Sequence, residues 1–422
     1  MYIKSVNIKN IRALKTVKMQ WENGQQAGWH VIIGDNGVGK TTLLRSIVFA
    51  LIGDKRANAL VKTWGNWVSV DEAKAEIILE LSNKGEYHAA TDNLVFTRNE
   101  PNEPVFLGAE WSFELSGKSK WQHKYPTNWN KDKDWFSAAY GPYRSFEKRA
   151  VLKSHINQDD IKLSAHLSCL QDDWAFDSVE MWVQNLLTMG ETGNIIKEFA
   201  ENLLKSEGLL SGGTTFLKID EIGRLVFTTF EGKEIYTDQL SSGNSSKVSI
   251  ALDLFFRLVS GYSEGDVLKS IAEGKSTASI NLPGVVLIDE IDIHLHPSGQ
   301  QAMGQWYTKH FPNIQFIVSS HSPLICRACG ETGTIWRIAS DSGKTRVEQI
   351  KGIDRDKLVY GNILDAVSTD LFGKGADRSK EAEEKLKELA ELNFKFLYGK
   401  ITATEEAKRK KLLQIFASDE KN

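Results

Sequence analysis

The sequence predicts an α/β fold with a parallel-sheet core, an antiparallel β flank and a helical lobe, followed by a C-terminal helical segment. Three observations point there. The apolar runs "WHVIIG" (29–34), "GVVLID" (284–289) and "IQFIVSS" (314–320) alternate with helical patterns, and strands alternating with helices imply a parallel sheet. Between residues 75 and 115 the stretches "AEIILELS", "EYHAATDNLVFTRN" and "VFLGAEWSFEL" have strand composition and are separated by Asn, Gly and Pro clusters, which predicts antiparallel strands. Residues 174–207 carry helical periodicity, broken at Gly190 to Gly193, and supply the lobe.

In chain order, "YIKSVNIKNI" alternates apolar and polar residues as a strand does, and "WHVIIG" is a second strand ending on glycine. A helix follows at "KTTLLRSIVFALIG" (40–53), and residues 116–134 form a polar loop rich in Lys and Trp. After the lobe come the strand-like "TTFLKID" and "RLVFTTFEG", then a helix at "SSKVSIALDLFFRLVS" (245–260). A Gly- and Ser-bearing linker at 261–280 leads to the strand at 284–289, a helix near 298–310 and the strand at 314–320. The tail from 379 to 417 is charged and helical in pattern, with a break around "YGKITAT". There is no internal repeat and no low-complexity tract.

Composition narrows the function classes. At 422 residues, with 41% hydrophobic and 25% charged residues, the chain can bury a large core and is not of a disordered type. A net charge of -3 provides no global attraction to nucleic acid or anionic membrane, so such contact needs a local basic patch. The N-terminus lacks the apolar region of a signal peptide and no stretch reaches about 18 uncharged apolar residues, so a cytoplasmic protein without a membrane partner is expected. Cys169 and the single Cys326/Cys329 CxxC read as reduced thiols rather than a disulfide framework or zinc site.

Four short motifs carry the chemistry. "GDNGVGKT", Gly34 to Thr41, satisfies GxxxxGK[ST] between a strand and a helix. In such a loop the backbone of Gly34, Asp35, Asn36, Gly37, Val38 and Gly39 faces phosphate oxygens, as does the helix start at Lys40, Thr41 and Thr42. Lys40 offsets β and γ charge, and Thr41 ligates Mg2+, so the expected ligand is ATP with magnesium. "VVLIDEIDIHLHP" (285–297) raises a choice between a zinc cluster built on His294 and His296 and the acidic end of a nucleotide-site strand. The phosphate loop decides for the second: Asp289 holds the magnesium shell and Glu290 orients the attacking water. "SSHSP" puts His321 at the carboxyl edge of the next strand, where ligands bind in an open α/β sheet and where it would sense the γ-phosphate. "LSSGNSSKVSIAL" (240–252) alone reads as a capped helix start, with serine at the cap and Gly243 permitting close approach.

In this order the four motifs resemble the RecF, SMC and OLD-like branch of the ABC-type ATPases. Lys40, Ser241 with Gly243, Asp289 with Glu290, and His321 look like that family's phosphate loop, signature, acidic strand end and switch histidine, over residues 1 to about 340. The signature usually reads LSGGQ or LSGGE; here Ser242 and Asn244 replace the first glycine and the Gln or Glu. "DEIDIHLHP" is close to the "DExxxHLHP" of stand-alone bacterial ATPases, and "AAYGPYRSFEKR" (138–149) resembles a segment of Septu-type antiviral ATPases and their retron-associated relatives.

The resemblance implies an ABC-ATPase head. Residues 1–145 would be its N-terminal part with the phosphate loop and β flank, and 146–240 the helical lobe with strands leading to the signature. Residues 241–345 would be its C-terminal part, and 346–422 a helical segment offered for partner docking. It also implies a homodimer or higher homo-oligomer in which Ser241, Ser242, Gly243 and Asn244 complete the ATP site of a second subunit. Roughly 200 residues without heptads separate phosphate loop and signature, so long coiled-coil arms are absent, and no convincing Toprim nuclease follows His321. A destructive activity would then come from a separate chain, in Septu-type systems an HNH nuclease. Two other readings stand beside this one: a RecF-like DNA repair ATPase, and an ATP-dependent scaffold that sequesters a toxin, as in PARIS-type systems. Arg144 is a further candidate for contact with the nucleotide or the lobe, and Gln122, Gln158 and Gln171 all compete for the glutamine that links magnesium to the lobe. Lys118, Lys120, Lys124, Lys131 and Lys133 among Trp121, Trp129 and Trp135 suit DNA contact, diluted by Asp132 and Asp134; Lys408 to Lys411 precede an apolar patch that suits a docking helix or packing on its own domain.

Overall fold

Alternation of apolar and polar residues puts Ile3, Val6 and Ile8 of the first strand, β1 (Tyr2–Ile11), into the core. The computed structural model describes residues 2–61, 64–72, 74–82, 90–97, 136–142, 161–171, 177–274, 276–341, 344–362 and 380–416. In it β1 pairs antiparallel with β2 (Leu14–Gln20) on one side and β4 (Lys74–Ser82) on the other, and β5 (Ala90–Thr97) lies beyond β4. This four-stranded sheet, in the order β2-β1-β4-β5, is the antiparallel flank.

The core sheet has the order β13-β12-β3-β11-β10-β6. Its strands are β3 (Gly28–Ile33), β6 (Ser137–Tyr140), β10 (Gly284–Ile288), β11 (Ile314–Ser320), β12 (Ile335–Asp341) and β13 (Lys344–Ile350). All neighbours are parallel except the antiparallel edge pair β12 and β13. Every residue of β10 and β11 is buried, the expected state of a parallel strand covered on both faces. Helix α1 (Lys40–Ile52) lies between the two sheets: Leu43, Leu44, Ile47, Val48 and Leu51 share one apolar cluster with Val6, Ile8, Ile77 and Leu79 of the flank and Val285, Leu287 and Ile317 of the core. That double packing is why α1 is apolar nearly all round, and each buried aliphatic side chain contributes about 1.5–3 kcal/mol.

Short helices α2 (Asp54–Leu60), α3 (Ile161–Ser164) and α4 (Leu167–Leu170) connect these layers. The helical lobe comprises α5 (Asp177–Leu186) and α6 (Gly190–Lys205), then the antiparallel sheet β7 (Thr215–Ile219), β8 (Leu225–Thr228) and β9 (Glu234–Tyr236), and then α7 (Ser242–Gly261). Phe255 of α7 packs against Trp182 of α5 and Phe199 of α6, with ring centroids 5.7 and 4.7 Å away. The break in the lobe falls at residues 187–189, and Gly190 opens α6.

The stretch expected as a linker at 261–280 contains a helix, α8 (Glu264–Ala272). Ser263 caps it by accepting the Asp266 N–H, and buried Val267 and Ser270 supply an inner face that the Gly and Ser content concealed. Helices α9 (Pro297–His310) and α10 (Pro323–Cys326) follow β10 and β11, and α11 (Gly352–Tyr360) follows β13. Cys169, Cys326 and Cys329 are buried free thiols, and burial raises the pKa of both members of the CxxC, the reverse of a reactive pair.

Two units divide the chain, residues 1–361 and 362–422. In the second, α12 (Lys380–Leu397) and α13 (Ala403–Phe416) form a hairpin around Leu389, Leu392 and Leu412. Lys408 of the basic run pairs with Glu388, and Arg409 lies 3.9 Å over Phe396, so part of that run is engaged within the hairpin. Among the described residues no helix is long and apolar enough to cross a membrane.

Candidate nucleotide site

Strand β3 delivers residues 34–39 into the start of α1, which makes a loop whose backbone the neighbouring strand crowds. A Cβ on Gly34 would stand 2.3 Å from the Ile338 carbonyl oxygen of β12, so only glycine lets the loop pass. Gly39, at the N-cap of α1, has φ 109°, a conformation glycine adopts without strain. Asp35, Asn36 and Gly37 are exposed, Val38 is tucked into the core, and Thr41 and Thr42 are half-buried on the first turn of α1.

Lys40 is buried, and its Nζ donates to the carbonyls of Gly34 (2.8 Å) and Asp35 (3.0 Å). The same nitrogen lies 3.0 Å from Nε2 of His321, which the end of β11 places on the adjacent strand. Burial pulls the Lys40 pKa down, opposed by the negative charge of Asp289, Glu290, Asp292 and Asp35 around it. The loop lysine, the acidic strand end and His321 therefore meet at one edge of the parallel sheet, the carboxyl ends of β3, β10 and β11.

Asp289 is buried at the end of β10, where its N–H donates to the Tyr140 carbonyl (2.8 Å). Its Oδ1 accepts from the Ser319 hydroxyl, while Oδ2 is buried and has no hydrogen-bond partner among the described residues. Ser319 Oγ also accepts the N–H of Glu290 (2.8 Å), whose φ of 46° is unusual for a side-chain-bearing residue. An orphaned carboxylate oxygen whose charge acts on the loop lysine suits magnesium, which takes one or two carboxylates together with phosphate and water oxygens. Among the described residues no three His, Cys, Asp or Glu side chains gather to hold a metal on their own. His294 and His296 are exposed, and His296 serves as the N-cap of α9, accepting from Ser298 ahead of Pro297.

Ser241 caps α7 and is exposed with Ser242, while Gly243 packs on the turn after β10, where a Cβ would meet the His294 carbonyl oxygen at 2.7 Å. Asn244 is buried and turned inward: its Nδ2 donates to the Ser211 carbonyl (3.0 Å), and its Oδ1 accepts the Ser211 N–H and hydroxyl. Further along α7, buried Arg257 donates to Asp253 Oδ2 (2.7 Å) and to Ser164 (2.9 Å), and the Tyr140 hydroxyl donates to the same Asp253 oxygen (2.9 Å). Tyr140 thus touches Asp289 through its backbone and the signature helix through its phenol.

Sequence reasoning missed Ser319, which orients both acidic residues, and the Tyr140–Asp253–Arg257 cluster. The serine was readable only as a polar residue at a strand end. Gln171 follows α4 and lines a cavity of about 450 Å³ with Arg12, Arg45 and Trp67. Gln122, Gln158, Arg144 and the Lys- and Trp-rich stretch 118–135 lie outside the described residues.

The chain is 23% identical to the Septu protein PtuA of Bacillus mycoides (strain KBAB4) over 331 residues, 77% of this chain and 39% of that one. It is 40% identical to the retron Vc95 probable ATPase of Vibrio cholerae serotype O1 biovar El Tor over 110 residues, 26% of this chain and 19% of the relative. The chain therefore spans about two fifths of that PtuA and about a fifth of that retron ATPase. A crystal structure of an SMC head bound to the C-winged helix domain of ScpA covers 83% of this chain and 98% of its own, with a TM-score of 0.48 and 14% identity. Residues 1–136 match an AAA ATPase domain model. Residues 106–327, more than half of the chain, match the model described as "AAA domain, putative AbiEii toxin, Type IV TA system", and the chain belongs to that family of AAA-type ATPase domains.

Proposed function

We propose that this chain binds and hydrolyses ATP, closes head to head with a second copy around the nucleotide, and through its ATP state controls a separate nuclease in antiviral defence. The observation that carries the ATPase reading is the meeting of Lys40, Asp289, Glu290 and His321 at one sheet edge. Lys40 and the amides of 34–42 bind the phosphates, Thr41 and the free oxygen of Asp289 hold magnesium, Glu290 orients the attacking water, and His321 hydrogen-bonds the γ-phosphate. Bound magnesium would offset the charge of the phosphate oxygens. Dimer closure is supported by the N-terminus of α7, where Ser241 and Ser242 face solvent. The first N–H groups of that helix would close on the triphosphate of the other copy.

The defence role and the nuclease partner, of HNH type, are supported by the likeness to Septu and retron ATPases. Ser242→Asp tests the shared site: Ser242 is exposed at the start of α7, so ATP turnover and ATP-driven dimerisation should be lost while monomer ATP binding survives. Loss of both binding and turnover would sink the shared-site reading. Co-purification with the products of neighbouring reading frames tests the partner; recovery of the chain alone, with or without ATP, would argue against one.

A further inference from the structure

Lys247 lies one turn behind the signature on α7 and is 2% exposed. Among the described residues its ammonium makes a single hydrogen bond, 3.3 Å to the Ser211 hydroxyl, and no carboxylate pairs with it. The same hydroxyl donates to Asn244 Oδ1, and Asn244 returns a bond to the Ser211 backbone. The chain Lys247–Ser211–Asn244 thus runs from a buried cation to the first turn of the signature helix. Taking an ammonium out of water without a counter-ion is strongly unfavourable, and a leucine or methionine would fill the same space without that cost. A charge kept there makes physical sense if an anion arrives nearby. Desolvation lowers the Lys247 pKa to about 8, which leaves most of the population charged at pH 7.

We propose that Lys247 is a positioning residue of the signature: a buried cation that, through Ser211 and Asn244, holds the first turn of α7 and makes its amides receptive to a triphosphate carried by a second copy of this chain. The inference rests on the head-to-head reading above. The positive end of a helix attracts anions, and an uncancelled ammonium behind the first turn raises the same potential in a partly desolvated site. Ser211 gives the cation a mechanical role as well, because its hydroxyl is shared between Lys247 and Asn244.

The test uses the full chain carrying Glu290→Gln, so that hydrolysis does not drain the complex, with dimerisation followed by sedimentation velocity and ATP binding to the monomer by a fluorescent ATP analogue. Lys247→Met should weaken ATP-driven dimerisation by roughly tenfold or more while monomer affinity stays the same, and Lys247→Arg should restore it to within about threefold. Dimerisation of Lys247→Met at the parent's level, with Ser242→Asp unable to dimerise, would overturn the proposal but leave the shared site standing. Dimerisation by Ser242→Asp as well would remove the shared site itself. Equal weakening by Met and Arg would reduce Lys247 to packing and also overturn the proposal. If Lys247→Met does not fold, Ser211→Ala decides: it keeps the charge and removes the link, so a several-fold weaker dimer at normal melting temperature supports the proposal, and an unchanged dimer refutes it.

Discussion

At the phosphate loop, the functional side chains of one copy already face one another: Lys40 touches two loop carbonyls and His321, and the acidic pair is oriented by a single serine. At the signature, the exposed residues Ser241 and Ser242 meet nothing comparable, while the polar groups behind them, Asn244, Ser211 and Lys247, are bound to one another inside the chain. On the proposed reading the first region is a receptacle and the second a presenting surface. Stiffness behind an exposed helix start is what a surface needs in order to receive a charged ligand without reorganising.

The contrast can be broken or sharpened by substitution. The largest effect is expected from Glu290→Gln, which should lower kcat by about 10²- to 10⁴-fold through loss of the group that orients and deprotonates water, with ATP affinity retained. Steady-state turnover beside equilibrium binding checks this, and hydrolysis at the parent rate would take the base assignment away. Next, Arg257→Ala leaves Asp253 charged and buried without its partner, for about 3–5 kcal/mol of lost stability in denaturant unfolding. Replacing Asp253 and Arg257 together by apolar residues should recover most of that loss. If the double variant is as unstable as the single one, the pair is not the reason α7 keeps its place.

Lys40→Ala removes charge-assisted bonds to the nucleotide and should weaken ATP binding by about 1.5–3 kcal/mol, roughly ten- to 150-fold, in calorimetry. Unlike Ser242→Asp, this variant should fail as a monomer. The smallest effect concerns two buried histidines that take no part in the candidate site. His30 bonds to Thr334 and the Gln26 carbonyl and His166 to Ser137 and the Lys162 carbonyl; burial lowers their pKa values to about 4 and about 3. Below pH 6.5 the unfolded chain binds protons that the folded chain refuses, so stability falls with pH and the loss levels off below the folded values. Lowering pH from 7 to 6 should remove about 0.7 kcal/mol per histidine, and a melting temperature that rises over that interval would contradict the buried neutral state.

The places of the glycine-rich loop, the acidic strand end and His321 were legible because each is a local pattern: an apolar run, a turn, and a polar residue at the strand's end. The same locality made the core strands β3, β10 and β11 readable. Helix α8 was not, since its composition is that of a linker and only Ser263, Val267 and Ser270 reveal it once placed against the lobe. Ser319 and the Tyr140–Asp253–Arg257 cluster were illegible for another reason. Asp253 lies 113 residues from the tyrosine it accepts from, and nothing in either segment announces the other. The apolar character of α1 suggested burial, but not that two different sheets would provide it.

By itself the sequence determined that a glycine-rich turn, an acidic pair and a histidine each follow an apolar strand, because backbone geometry follows from short-range residue order. Only the tertiary structure decided that Asp289 Oδ2 has no hydrogen-bond partner among the described residues while Ser319 takes Oδ1, that Asn244 bonds inward to Ser211, and that Lys247 is buried against the Ser211 hydroxyl. Those outcomes depend on which distant groups compete for each hydrogen bond once water is excluded, and that competition exists only after the layers have packed.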